Sequence, residues 1–195
     1  MNDSNGNQQS ATNKHTLIAL VENRPGVLNR VVSLFRRRNF NLDSLTVGRT
    51  HKDHISRMTI VVDSAKSNAR LIAANLTKLI NVIEVRDVSA ELYVSRDLAL
   101  VKVLTDNAES YNAVTEICER YPARIVDMGS KYTIVEITAR EDMVEEFIDA
   151  MRPIGIVEVV RTGVVAMGRG ARILDSDYEP PVFATMQDSH ERYSV

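Results

Sequence analysis

Few residues in this chain have the types and spacing of a reaction centre. The single cysteine, Cys118, falls on an apolar stripe with Val114 and Tyr121. It reads as a small core residue, with no histidine or acid placed to activate it. His51 and His54 have the three-residue spacing of a metal pair. Asp53 is the only further ligand beside them, and the segment reads as an exposed turn, so no metal site is expected. Glu141, Asp142, Glu145 and Glu146 open a helix, where acids complement the dipole, and no partner motif supports paired-carboxylate catalysis. Arg36, Arg37 and Arg38 spread over about 200° of helix at ~100° per residue. That spread fits a solvated surface, with docking of an acidic partner as the other reading. Dinucleotide, P-loop, zinc and serine-elbow motifs are absent. No catalytic residue is predicted, and the chemistry left to the chain is binding.

The binding chemistry centres on "VENRPGVLNRVVSLFRRRNFNLDSLTVG", Val21 to Gly48. A buried-strand candidate, "HTLIALVE" from His15 to Glu22, stops at Asn23-Arg24-Pro25-Gly26, and an amphipathic helix starts at once. Leu28, Val31, Val32 and Phe35 fall on one face of that helix, and Pro25 suits its first turn, where a missing N–H costs nothing. Glycine at a helix start lets bare backbone N–H groups approach an anion, and the dipole adds about half a positive charge there. A carboxylate would sit against the amides around Gly26, Val27 and Leu28, with the Asn23 side chain as a further partner. Pro-Gly is also an efficient turn, and the residues alone leave that reading open. Asn41, in "NFNLDS", is either a second polar contact near a partner subunit or, like Asn39, a residue that closes the helix in the left-handed conformation.

The elements that would position this junction follow from periodicity. "LDSLTVGRT" and "ISRMTIVVD" read as strands joined by a polar turn at His51–His54, with Met58, Ile60 and Val62 on one face. Ala69, Ile72, Leu76 and Leu79 mark a second helix, and "VIEVRDVS" from Val82 to Ser89 a fourth strand. The second half repeats the order. "LALVKVLT" from Leu98 to Thr105 is a strand, and Tyr111, Val114, Cys118 and Tyr121 mark a helix. "ARIVDMGSKYTIVEITA" is a hairpin turning at Gly129-Ser130. Val144, Phe147, Ile148 and Met151 mark the last helix, and "IGIVEVVRTG" closes the repeat. The predicted fold is α+β: two tandem ferredoxin-like βαββαβ units repeated at roughly 75 to 80 residues, covering 15–90 and 91–170. Residues 1–14 and 171–195 read as disordered tails, too poor in periodic apolar residues to repay ordering entropy. The counterpart of the first strand-to-helix junction, Thr105-Asp106-Asn107-Ala108, has no glycine, so only the first looks open to a ligand. Each unit also leaves an edge strand and one sheet face to be covered, for which pairing of the first units of two subunits is the expected solution.

Composition narrows the partners. The 195 residues, 44% of them hydrophobic, are enough for real cores. The balance of 24 basic and 26 acidic residues gives no global field to attract nucleic acid or an anionic membrane. One cysteine, no signal-peptide pattern and no run of the roughly 20 apolar residues that a membrane helix needs predict a soluble, cytoplasmic protein.

Three separated motifs carry a resemblance. "LVENRPGVLNRVVSLFRRRNFNLDSLTVG", then "SRMTIVV", then "IVEVVRTGVVAMGRG" closely resemble the small, regulatory subunit of acetohydroxyacid synthase, also called acetolactate synthase, over about Lys14 to Gly170. The resemblance implies an N-terminal ACT domain that binds a branched-chain amino acid, usually valine, at a homodimer interface, and a C-terminal domain of related topology. It implies a non-catalytic subunit of branched-chain amino acid synthesis that activates a catalytic large subunit and confers feedback inhibition on it. That partner is expected to use thiamine diphosphate, Mg and FAD, with no cofactor bound by this chain. Carried over by position, the effector contacts are Asn23, Pro25, Gly26, Val27 and Leu28 in the loop, and Asn41 and Leu42 in a second region. Arg24-Pro25 and Asn39 depart from the family pattern, glycine being frequent at the latter position. The alternative is a stand-alone ACT-type amino-acid-binding protein acting on another partner or on transcription. It is disfavoured because no helix-turn-helix segment or basic patch is visible.

Overall fold

A computed structural model describes residues 14–63, 68–171 and 173–174. The first half runs β1 (Lys14–Glu22), α1 (Val27–Arg38), β2 (Leu42–Arg49), β3 (Ile55–Asp63), α2 (Ala69–Leu76) and β4 (Val82–Asp87). The second runs β5 (Tyr93–Leu104), α3 (Ala108–Arg120), β6 (Ala123–Met128), β7 (Tyr132–Ala139), α4 (Glu141–Met151) and β8 (Ile156–Arg161), and a short β9 (Val165–Gly168) follows. Within the first sheet the order is β2-β3-β1-β4, and within the second β6-β7-β5-β8, with β9 added against β5. All pairings are antiparallel. The two tandem βαββαβ units expected from the sequence are present.

Each sheet buries one face under its two helices. Leu17, Ala19, Val21, Met58, Ile60 and Val62 face Val31, Phe35, Ile72 and Leu76 in the first core. Ala99, Val101, Val103, Val135 and Ile137 face Val114, Val144, Phe147 and Met151 in the second. Strand alternation supplies one half of each core and the helical 3.6 period the other. The α1 face differs from the predicted one. Val27, Val31, Leu34 and Phe35 are buried, while Leu28 and Val32 are 46% and 43% exposed. Leu34 and Val27, in place of Leu28 and Val32, complete the face that packs with the sheet, and Phe35 packs edge-on against Phe40 beyond the helix end. As expected, α1 closes at an asparagine, Asn39, with φ +52°.

The other face of the first sheet is covered by this chain itself. Pairing register puts Ile18 opposite Thr59, and Leu20 opposite Arg57, on that face. Ile18, Val88 and Ala166 form a small core with Tyr93 and Leu174 around it. The Arg57 Nη2 donates to the Ala166 carbonyl at 2.8 Å, the Thr46 hydroxyl to the Thr162 carbonyl at 3.2 Å, and the Val164 amide to the Ser44 hydroxyl at 3.3 Å. Lys14, in β1, joins Asp43 at 2.7 Å to Glu141 of α4 at 2.9 Å. Burial opposes the Lys14 charge, but these two carboxylates outweigh it and hold its pKa above the ordinary lysine value.

Some predicted boundaries shift. β1 begins at Lys14, inside the segment read as a tail, and β5 begins at Tyr93, five residues before the predicted start. β9 lies where no strand was predicted. Residues 1–13, 172 and 175–195, read as parts of the tails, lie outside the described residues.

The seam has one position with no room. Gly163 has φ +80°, and a Cβ there would lie 2.5 Å from the Ser44 hydroxyl oxygen and 3.0 Å from that of Thr46. Gly163→Ala is therefore expected to lower unfolding free energy by about 1–3 kcal/mol. Ser44→Ala in the same chain should recover part of the loss, since the hydroxyl is the first atom met while the left-handed backbone strain persists. Urea denaturation of the single and double variants checks both statements.

Candidate functional site

The loop between β1 and α1 is a tight turn built from its sequence. The Val27 amide reaches back to the Arg24 carbonyl at 3.4 Å. Gly26 has φ +83° and ψ −10°, the second central position of a type II turn, for which Pro25 supplies the first. Pro25 thus precedes the helix and does not form its first turn as predicted, because α1 starts only after the left-handed glycine.

Gly26 caps α1 without any side chain bonded to the helix start. Val27 is buried, whereas Asn23, Pro25, Gly26 and Leu28 are exposed. A Cβ on Gly26 would meet nothing within 4 Å, so the approach to the helix start is open. The corresponding start in the second half is closed. There Asn107 caps α3, accepting from the Ser110 amide at 2.8 Å, while its own Nδ2 donates to Asp106 at 2.9 Å. The sequence contrast between the two junctions is therefore a contrast in capping: a side chain covers the start of α3, and none covers that of α1.

Partners from distant segments hold the loop. The Asn23 backbone amide donates to the His54 carbonyl at 2.8 Å, and its side-chain Nδ2 to the Asp53 carbonyl at 2.8 Å. The His51–His54 turn, considered above for metal binding, thus buttresses this loop. No group of three or more His, Cys, Asp or Glu residues suited to a metal occurs among the described residues. The nearly buried Glu22 accepts from Asn81 at 2.5 Å, and Asn81 accepts from Arg30 of α1 at 2.6 Å. Arg24 lies 3.8 Å from Glu22. Arg24 thereby offsets the charge of the Glu22 carboxylate beside the loop, which would otherwise repel an anionic ligand. Reading by local period could not find Asn81, which lies 59 residues from Glu22.

Asn41 and Leu42 lie at the other end of α1 and the start of β2. One helix of twelve residues separates them from the loop by about 18 Å at ~1.5 Å per residue. A single chain therefore does not bring the two predicted contact regions together. β2 is an edge strand. As for Cys118, burial pushes its thiol up from the ordinary value, and it packs with the second core.

Comparison with known proteins meets this geometry. A model of the "AHAS small subunit-like ACT domain" matches residues 17–84, and a model of the "Small subunit of acetolactate synthase" matches residues 96–170. The probable acetolactate synthase small subunit of Archaeoglobus fulgidus is 48% identical over 157 residues, covering 80% of this chain and 98% of that protein. The chain belongs to the acetolactate synthase small-subunit family. The family member from Mycolicibacterium smegmatis is 42% identical over 163 residues, covering 84% of this chain and 95% of its own. The crystal structure of the acetolactate synthase small subunit from Thermotoga maritima superposes with a TM-score of 0.72 at 33% identity, covering 82% of this chain and 99% of that one. No helix among the described residues is long and apolar enough to cross a membrane.

The capped junction gives a control on this description. Asn107→Ala is expected to lower stability by about 1 kcal/mol, the usual cost of losing an N-cap, and thermal denaturation measures it. Asn23→Ala removes no cap and should destabilise by less.

Proposed function

We propose that this chain is the regulatory subunit of an acetolactate synthase. On this reading it activates a catalytic large subunit that uses thiamine diphosphate, Mg and FAD, and makes that partner sensitive to valine. The chain acts in the cytoplasm, contributes no catalytic residue and binds no cofactor.

The observation that carries the reading is the uncapped start of α1 behind Gly26, in a family of acetolactate synthase small subunits. An amino-acid effector offers a carboxylate and a branched apolar side chain. The amides after Gly26 suit the carboxylate, with the helix dipole adding to the attraction. Asn23, fixed by the His51–His54 turn, borders it, and Leu28 with Val32 gives the exposed apolar flank. Asn41 and Leu42 complete the site from a second copy. Pairing of two β2 edges across a twofold would bring one chain's loop toward the other chain's Asn41, so that effector and dimer are thermodynamically linked. Inhibition then reflects the effector's preference for one dimer arrangement, and its extent is limited by that preference.

Gly26→Asp tests this directly. No atom stands within 4 Å of the new Cβ, so the substitution adds a charge with no clash. Gly26→Ala, which carries the same left-handed backbone strain at φ +83° without the charge, is the reference against which its effect is read. In the reconstituted holoenzyme, valine affinity should fall at least about tenfold, ~1.4 kcal/mol, with activation of the catalytic subunit retained. Titration calorimetry on the free chain and valine inhibition curves on the complex give the two readouts. Unchanged inhibition in that variant would remove the loop from the site.

A further inference from the structure

Between the helix-free face of the first sheet and the ribbon formed by β9 and the start of β5 lies a cavity of about 320 Å³. It is on the opposite face of the sheet from the helices. Three of its lining residues are arginines, Arg49, Arg57 and Arg96, and among the described residues that line it none is an acid. Arg57 stands on β3 in the interior of the sheet and is half-buried. Its Nη2 bond to the Ala166 carbonyl satisfies one N–H, and among the described residues no carboxylate is paired with its charge. Burial pushes the Arg57 guanidinium below its ordinary value, and Arg86 alongside adds to that effect. Arg86 has its own partner in Glu84 at 3.1 Å, whereas Arg96 donates to the carbonyl of its neighbour Ser95. Charges withdrawn from water are as a rule paired. Three guanidinium groups around one cavity concentrate a positive potential, least screened at the half-buried Arg57. The rest of the wall includes Val94 and Met167, which are apolar, and the Thr59 hydroxyl.

We propose that this cavity is a second binding site, for a small organic anion with at least two negative groups, phosphate or carboxylate, on an apolar body. Guanidinium forks match both kinds of oxyanion with paired hydrogen bonds. More than one negative group is needed to balance three cations, and the volume suits a small metabolite. A free small molecule is favoured over an acidic segment of another protein because the walls come from strands of both sheets and close on the space from two sides. The same geometry means that an occupant holds β9 onto β3. The site is separate from the α1 loop and does not depend on what binds there.

Titration calorimetry of the full chain at constant ionic strength tests the proposal, with inorganic pyrophosphate and citrate as probes for the two oxyanion types. At least one probe should give saturable heat, and the stronger one identifies phosphate or carboxylate as the preferred group. Arg49 and Arg96 are exposed, so the R49Q/R96Q double variant should fold normally and lose at least about tenfold in affinity. Arg57→Gln should lose more, with valine titration unchanged in both variants. Absence of saturable heat with either probe in the unmodified chain would overturn the proposal, as would equal affinity in the double variant. Binding of an acidic peptide, but of neither small anion, would assign the cavity to protein recognition and overturn it equally.

Discussion

A four-stranded sheet that carries both helices on one side must still cover the other, and the way this chain does so determines most of its architecture. The connection out of β8 turns at Gly163 against Ser44 and Thr46, and β9 then lies over Ile18 with its Ala166 carbonyl held by Arg57. The small core made there is modest beside the two helical cores. Its contacts nevertheless join residues more than a hundred positions apart, as with Arg57 and Ala166. Without them the halves would be joined chiefly by their linker and the Lys14–Glu141 pair, and the first sheet would keep a bare face. The left-handed glycine, the short β9 and the extension of β5 back to Tyr93 all serve this one seam.

Duplication gave the chain two strand-to-helix junctions with equivalent places in their folds, and the chemistry of the two has diverged. At the second, Asn107 spends its side chain on the helix start, so that α3 is stabilised and its Ser110 amide is occupied. At the first, Gly26 contributes no side chain and α1 starts without a side-chain cap, which leaves backbone N–H groups of its first turn to solvent or to the effector proposed above. The first junction is braced from outside instead, by the β2–β3 turn through Asn23 and by Asn81 through Glu22 and Arg30.

The halves of the fold governed by local period were legible in the sequence. Strands alternate, helices repeat at 3.6, and the α4 face of Val144, Phe147, Ile148 and Met151 is buried as read. The family, too, was legible, because three motifs fall in order along one chain. The α1 face was misjudged because Leu28 and Val32 are as apolar as the residues actually buried, and only packing against the sheet distinguishes them. Pro25 was placed one step too far along because a type II turn and a helix start both accept Pro-Gly. β9 was missed because four residues are too few for a period, and its partner, the start of β5, is some seventy residues earlier. The seam cavity was illegible for the same reason: Arg49, Arg57 and Arg96 are ordinary strand residues until the pairing register puts them around one space.

The edge strand β2 connects these observations. Its beginning carries Leu42, beside Asn41, and its middle carries Ser44 and Thr46, which receive the turn from the second half. A subunit pairing along β2 would therefore touch, within a few residues, both the proposed effector contact and the seam. Proximity along a strand does not amount to coupling. Coupling requires that the seam have two arrangements and that an effector prefer one, and its size is that difference in affinity. The bulge in β2 pairing between Leu42 and Ser44 is where such a difference has room to be expressed. A bulge leaves one residue outside the ladder, so the strand can alter its local twist there without breaking the register that holds Leu45 against the first core.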